Sequence, residues 1–496
     1  MHNSGFCELA RGKLRILSND EIYQVHQSTL EVLEKTGIRV YEPSALNIFK
    51  DAGASVDQKS GLVKIPSHLI EKSVKAVPRE FTLFARNPKH NVRIEHGKVY
   101  FGPMIGRINI IDLDSGEKRR TTLEDVANLT KIASALEHYR LPHSGVMMPH
   151  IEGVPDEVAH AYAYLVSVRN SEKVVKGTGR NRTVAKDCIR MASVLAGCDV
   201  EDLKMRPNIF TTYNTVSPLQ LQKGQTEGLI EYVKNGLPVD VTSEVQAGAT
   251  SPVTLSGSMV IQNSEILAGI TLAQLVNRGA PVFYGTASTI MDMRSGIIAK
   301  GAVEAGLFNV ATAQMAQYYG IPSRGTACDT ESKVLDIQAG YEKAITLLMA
   351  GLAGVNYIWY PGTLEYALTV SYESLVIDHE ICGIVDRAIK GMTVDKDTLA
   401  TKLIDDVGPG GQYLGMKHTL DYLESEHYLP KLSDRRSRED WKAAGGRELK
   451  DVANKEAKRI LREYQPMSLD KETDAELEKI VKQIERRELE TKSVLE

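Results

Sequence analysis

Hydrophobic and polar positions follow two rhythms along this chain. From about residue 20 to 80 the apolar positions recur at helical spacing. In EIYQVHQSTLEVLEKTG, Ile22, Val25, Leu30, Val32 and Leu33 form one stripe, opened by Asn19-Asp20 and stopped by Gly37. Over 81–120 the rhythm becomes strict alternation, in FTLFARN, VRIEHG and INIIDLDSGEKRR. With Asp114-Ser115-Gly116 as a turn, this predicts short antiparallel strands.

A repeating unit follows. A short apolar segment ends in small or polar residues, and a helical stretch comes next. The predicted strands are 99–104, 141–148, 173–179, 207–214, 238–245, 281–287, 322–329 and 356–362. The predicted helices are 122–138, 155–170, 183–196, 220–235, 258–277, 297–319, 336–353 and 371–390. The first helix shows the mechanism: Thr122 caps, Asp125 stands three residues on, and Leu123, Val126, Leu129, Ile132, Ala133 and Leu136 share a face. Strand–helix alternation calls for a parallel sheet, and eight units can close it into a (β/α)8 TIM barrel. An open doubly wound sheet competes, but its usual G-x-G-x-x-G turn is absent; KGTGRN at 176–181 has two of the glycines and reads as a tight turn or a phosphate loop.

The chain thus divides into helices and short antiparallel strands over 1–98, the barrel over 99–391, and a C-terminal loop and helical extension over 392–496. The extension holds Gly408-Pro409-Gly410-Gly411 and a charged tail. Within that tail, Leu477, Ile480, Val481 and Ile484 predict a helix packed on the body or on a second subunit. A homo-oligomer is the expected state.

Composition narrows the classes. With 42% apolar and 25% charged residues the chain is an ordinary globular protein. A net charge of −4 gives no reason to expect nucleic acid or an anionic membrane as partner. Cys7, Cys188, Cys198, Cys328 and Cys382 are odd in number and hold no C-x-x-C pair, so the expectation is a reducing cytoplasm and no thiolate zinc site. The N-terminal stretch does not read as a secretory signal, and no run reads as a membrane span.

In a (β/α)8 barrel, chemistry sits at the C-terminal strand ends. Those ends offer Tyr100, Phe101, Met104 and Arg107, then His143, then Tyr213 and Asn214, then Glu244. Phe283 and Tyr284 follow, then Arg324, Cys328 and Asp329, then Trp359 and Tyr360, with Glu365 and Tyr366 beyond. H-x-H, H-E-x-x-H, G-x-S-x-G and G-K-[ST] are absent, so neither a bound metal nor an acid–base catalytic residue is expected. Lys173 and Lys176 are either Schiff-base lysines of an aldolase-type barrel or solvated strand-edge lysines. Aromatics are only 6% of the chain yet gather at these ends, as Tyr213, Tyr284, Trp359, Tyr360, Tyr366 and Tyr372. They form either packed core or a box for a quaternary ammonium, which aromatic faces bind well. Arg324, inside P-S-R-G-T-A, needs an anion. That anion is a ligand, or else Glu244, Asp329 or Glu331.

Several blocks together resemble the trimethylamine methyltransferase family over nearly the whole chain. They are TLEVLEKTGIRVYEP (29–43), DIQAGYEKAITLLMAGLAGVNYI (336–358), ESLVIDHEICGIVDRAIKG (373–391) and GPGGQYLGMKHTLDYL (408–423), with Pro430, Arg435 or Arg436, and Trp441 after them. The resemblance implies a (β/α)8 barrel that moves a methyl group from a methylated amine to a corrinoid (cobalamin) carried by a partner corrinoid protein. Archaeal trimethylamine enzymes of the family carry pyrrolysine near the seventh strand, whereas this chain has only standard residues. That departure points to the branch acting on glycine betaine, proline betaine, carnitine or γ-butyrobetaine. On this reading Arg324 takes the substrate carboxylate, and Tyr360, Trp359 and Tyr284 surround the ammonium. Tyr213, Glu244 and His143 stand behind them. The alternatives are a tertiary methylamine substrate, the lysine-dependent aldolase, and a non-catalytic betaine-binding protein.

Overall fold

The computed structural model describes residues 14–141 and 151–495. The 142–148 part of the second expected strand, with His143 on it, lies outside those residues.

Six parallel strands form the central sheet: β1 (Tyr100–Gly102), β2 (Thr211–Asn214), β3 (Val239–Ser243), β4 (Val282–Thr286), β5 (Ser323–Thr326) and β6 (Tyr357–Trp359). Their order is β1-β6-β5-β4-β3-β2. Both edges carry further contacts. Beside β1, Phe101 bridges Tyr139 in parallel and Arg140 N donates to Phe101 O at 2.9 Å. Beside β2, Gly177 N donates to Phe210 O at 2.9 Å. The segment 173–179 is nonetheless not a strand, contrary to expectation, and ladder bonding among the described residues does not close the sheet. Its Lys173 spends its polar groups elsewhere, as shown below.

The helices fall where their periodicity predicts. They are α1 (Leu123–Ala135), α2 (Ala159–Asn170), α3 (Arg182–Ala196), α4 (Lys223–Lys234), α5 (Leu255–Val276), α6 (Val303–Tyr319), α7 (Ile337–Ala353) and α8 (Tyr372–Lys390). Thr122 caps α1 in a reciprocal box with Asp125. One boundary moves: residues expected at the start of α6 instead make an antiparallel hairpin, Thr289–Asp292 with Ile297–Ala299, turned at Gly296 (φ 68°). Helix α5 is long and apolar enough to cross a membrane by length and composition, yet 78% of its most apolar window is buried within the protein. Its Glu265 is held by Ser243 Oγ, Thr215 Oγ1, Ser217 Oγ and Leu219 N at 2.6–2.9 Å. This is a core helix whose one charge ties down the loop after β2.

The other expected elements pack around this body. Phe81–Leu83 pairs with Val92–Ile94, and Asn109–Ile111 with Lys118–Arg120, both antiparallel as the alternation predicts. In the N-terminal segment Ile38–Val40 pairs with Gln220–Leu221 just ahead of α4, so the segment shares a core with the sheet's helices. At the other terminus α9 (Leu449–Glu463) and α10 (Lys471–Leu495) lie on the body, and the stripe Leu477, Ile480, Val481 and Ile484 is buried there.

Candidate active site

Successive residues of a strand face opposite sides of a sheet, so parity decides which strand-end residues reach the interior. On the N-terminal side the interior is plugged by rings. Phe283 meets Phe81 at 5.0 Å and Tyr357 at 6.2 Å, and Phe210 meets Tyr357 at 6.0 Å. Phe283 is therefore core.

Above the plug lies a charged layer. Asp240, the second residue of β3, accepts from Thr212 Oγ1 (2.9 Å) and Thr242 Oγ1 (2.7 Å), and its Oδ2 is 3.3 Å from Arg324 Nε. Arg324 Nη1 donates to Thr286 O at 2.9 Å. Position 285 is glycine for a reason: a Cβ there would sit 2.3 Å from Asp240 Oδ1. The Trp359 ring has Arg324 Cζ at 4.6 Å and Lys176 Nζ at 4.5 Å from its centroid. Burial pulls Lys176 down to about 7, with Asp240 opposing and Arg324 adding to the fall.

Two expectations change here. Arg324 is 1% exposed and its charge is answered by Asp240, an internal partner other than the three considered from sequence. Trp359 is 1% exposed and already holds two of the protein's own cations tightly, at 4.5 and 4.6 Å, whereas the cations near Tyr360 stand farther off, at 5.8 and 5.9 Å. Neither is set out as an open receptor.

The mouth layer is built from Tyr360, Lys300, Glu244 and Arg107. Tyr360 meets Trp359 edge-on at 5.1 Å and has φ 112°, a strained backbone at a strand end. Lys300 is buried, paired with Glu244, donating to Ala287 O at 2.9 Å and lying 5.9 Å from the Tyr360 centroid. Arg107 Cζ is 5.8 Å from the same centroid. Asp329 is buried close by; its Oδ1 accepts from Thr363 Oγ1 (2.8 Å) and Thr330 N (2.9 Å), and burial raises its pKa. Glu331 accepts from Gly301 N at 2.9 and 3.1 Å, and burial, with Asp329 and Glu342 adding, lifts it to about 7. A cavity of about 630 Å³ opens between the 289–299 hairpin and Glu331, Glu342 and Tyr366.

Tyr213 and Tyr284 do not join this site. Tyr213 OH bonds Thr226 Oγ1 on α4 at 3.1 Å, and Tyr284 OH donates to Asn263 Oδ1 on α5 at 2.7 Å. Both lie in the layer between sheet and helices, where parity sends them. Glu244 is at the mouth, as expected, but bound to Lys300. Lys173 is no free amine: its Nζ donates to the carbonyls of Ala133 (2.9 Å), Leu136 (2.8 Å) and Tyr139 (2.6 Å). Three acceptors match the three protons of an ammonium at the C-terminus of α1, while burial, with Arg140 adding, pulls its pKa down to about 7. Elsewhere, Glu137, His138 and His379 bring ligand atoms within 4.8 Å of one another, a grouping of metal-ligand residue types that the spacing does not reveal. There Lys431 pairs with Glu137 at 2.5 Å and so docks the C-terminal segment.

Sequence reasoning missed Asp240 and Lys300. An acidic residue inside the apolar run of β3, like the arginine inside β5, was the available signal for a buried pair. Lys300 follows a hairpin that was read as helix, which hid it.

Strand-end rings and paired buried cations thus stand together on a parallel sheet wrapped by helices, an α/β architecture. The chain matches the family model "Trimethylamine methyltransferase (MTTB)" over residues 5–491. It is 39% identical to the glycine betaine methyltransferase of Desulfitobacterium hafniense (strain Y51), over 95% of this chain and 97% of that one. It is 35% identical to the trimethylamine methyltransferase MttB of Desulfitobacterium hafniense (strain DSM 10664 / DCB-2), over 94% and 93%. Among solved structures, the monomethylamine methyltransferase MtmB of Methanosarcina barkeri superposes with a TM-score of 0.54 at 14% identity, covering 91% of this chain and 89% of that one, a likeness of fold. The chain belongs to the trimethylamine methyltransferase family and is a methyltransferase.

Proposed function

We propose that this enzyme moves a methyl group from a quaternary amine, glycine betaine or a related betaine, to the Co(I) corrinoid of a partner corrinoid protein. The observation that carries the reading is the mouth layer: the Tyr360 ring has Arg107 and Lys300 near it, and Lys300 is paired with Glu244. The 39% identity to a glycine betaine methyltransferase supports the same substrate class.

The chemistry asks for little else. A quaternary nitrogen is already a competent leaving group. As the carbon–nitrogen bond breaks, its electron pair stays on nitrogen and the amine departs neutral, so no proton moves. The reduced corrinoid supplies the nucleophilic electron pair. The chain's own residues hold the ammonium against a ring, match its charge and orient one methyl outward. In this reading Tyr360 takes the ammonium and Glu244 is the anion facing it.

We also read the sheet as a closed (β/α)8 barrel. The parallel contact of Tyr139 beside β1 and the bond from Gly177 beside β2 support two further staves, and eight helices follow in order. The corrinoid partner would then meet the C-terminal face. A reducing cytoplasm suits Co(I), and a homo-oligomer remains part of the proposal.

The test mixes the protein, a Co(I) corrinoid protein and either glycine betaine or trimethylamine, and follows the cobalt absorbance. Glycine betaine should methylate the corrinoid and trimethylamine should not. Absence of methylation from every quaternary amine tried would overturn the reading.

A further inference from the structure

The mouth layer also indicates where the carboxylate of such a substrate is held, an inference that rests on the proposed function. The buried cations around the two rings are largely committed. Arg324 is answered by Asp240, and Lys300 by Glu244. Arg107 differs. It is half-buried on the segment after β1, its Nε donates to the Ala367 carbonyl, and no carboxylate is paired with it among the described residues.

Its setting is built. Glu365, Tyr366 and Ala367 have φ of 52°, 47° and 63°, three successive non-glycine residues in the left-handed region. Such strain persists only where neighbours over-determine it. Glu365 N donates to Ser332 O (3.0 Å), Tyr366 N to Thr330 O (2.7 Å) and Leu368 N to Glu365 O (3.0 Å). The turn presents the Ala367 carbonyl to Arg107 Nε. Anchoring Nε fixes the guanidinium plane and leaves its two terminal nitrogens as a fork, the geometry that takes a carboxylate with two parallel bonds. In glycine betaine two bonds separate the ammonium nitrogen from the carboxyl carbon. Receptors for the two charges must therefore be close neighbours, as Arg107 and Tyr360 are, with Cζ 5.8 Å from the ring centroid.

We propose that Arg107 is the residue that selects carboxylate-bearing substrates, binding the carboxylate through its terminal nitrogens while the ammonium lies against Tyr360. A half-buried guanidinium facing an anion gives charge-assisted hydrogen bonds, the strong kind. Lysine keeps the charge but not the fork.

Calorimetry on the full-length protein tests this with two probes, glycine betaine and tetramethylammonium, against the wild type, Arg107→Gln and Arg107→Lys. Arg107→Gln should weaken glycine betaine by about 10- to 100-fold and leave tetramethylammonium within about twofold. Arg107→Lys should recover part of the betaine affinity. Retained tetramethylammonium binding shows that the variant site is folded. Undiminished betaine binding in Arg107→Gln, or equal losses for both probes, would remove Arg107 from this role while leaving methyl transfer intact. A wild type that binds neither probe would overturn the quaternary-amine reading itself, and this proposal with it.

Discussion

Arg324 and Asp240 show what a buried charge costs and why it stays. Both are essentially inaccessible, 3.3 Å apart, and Asp240 also has two threonine hydroxyls. Removing one member of such a pair leaves the other charged and desolvated, whereas removing both together is far milder. Asp240→Ala should therefore destabilise the protein by about 3–5 kcal/mol in urea melts. The double variant Asp240→Ala/Arg324→Met should lose much less than the sum of the singles. Additive losses would mean that the two groups are not coupled. Glu331 gives a pH signature at the same scale. Its ordinary value is 4.5 and the fold lifts it to about 7, so between those values the folded state holds more proton than the unfolded chain. Its contribution is present in full below about 4.5 and is lost as pH rises through about 7. Because water reaches its open side, the loss should be near 1 kcal/mol. Glu331→Gln should raise the melting temperature relative to wild type at pH 8 and not at pH 4. A constant difference at both pH values would sink the assignment.

The helices illustrate how elements are stopped as well as started. Thr122 and Asp125 close the N-terminus of α1, and Lys173 closes its other end from outside by capping three carbonyls. Lys173→Met should cost about 2–4 kcal/mol, because it leaves buried carbonyls at a helix end without donors. Hydrogen exchange should speed up first in the last turn of α1; unchanged protection there would count against the cap. Periodicity predicted α1 to within a few residues at either end, because one apolar face suffices to define it. The start of α6 was misread because Ile297 and Ile298 suit a short strand as well as a helix, and the Gly296 turn settled it only in three dimensions.

At the scale of the whole molecule, the C-terminal helices act as a clamp. Lys131 Nζ donates to Leu461 O at 2.8 Å from α1 to α9. Arg169 on α2 reaches Asp474 (2.6 Å), and Arg487 on α10 reaches Asp187 on α3 (2.7 Å). Beneath these polar ties lie Ala453, Ala457, Ile460 and the buried stripe of α10. A chain ending before Leu449 would expose that apolar surface on α1, α2, α3 and α8, and should be largely insoluble or aggregated on gel filtration. A soluble, cooperatively folding truncation would show that the helices are accessory.

Local order was written in the chain itself. Helix periodicity, capping residues and turn glycines act over a few neighbours, so the alternation of parallel strands and helices, the flanking antiparallel pairs and the buried stripe of α10 could all be read without coordinates. So could the family, from blocks spread along the chain. Parity and pairing could not. Whether Trp359, Tyr284 or Tyr213 faces the interior depends on a one-residue step in strand orientation, and that step is set by how each strand lies against its neighbours. Arg324 found Asp240, and Arg107 was left without a carboxylate among the described residues, only when strands far apart in sequence were laid side by side. Charge pairing is a matter of distance in space, and sequence order does not encode it.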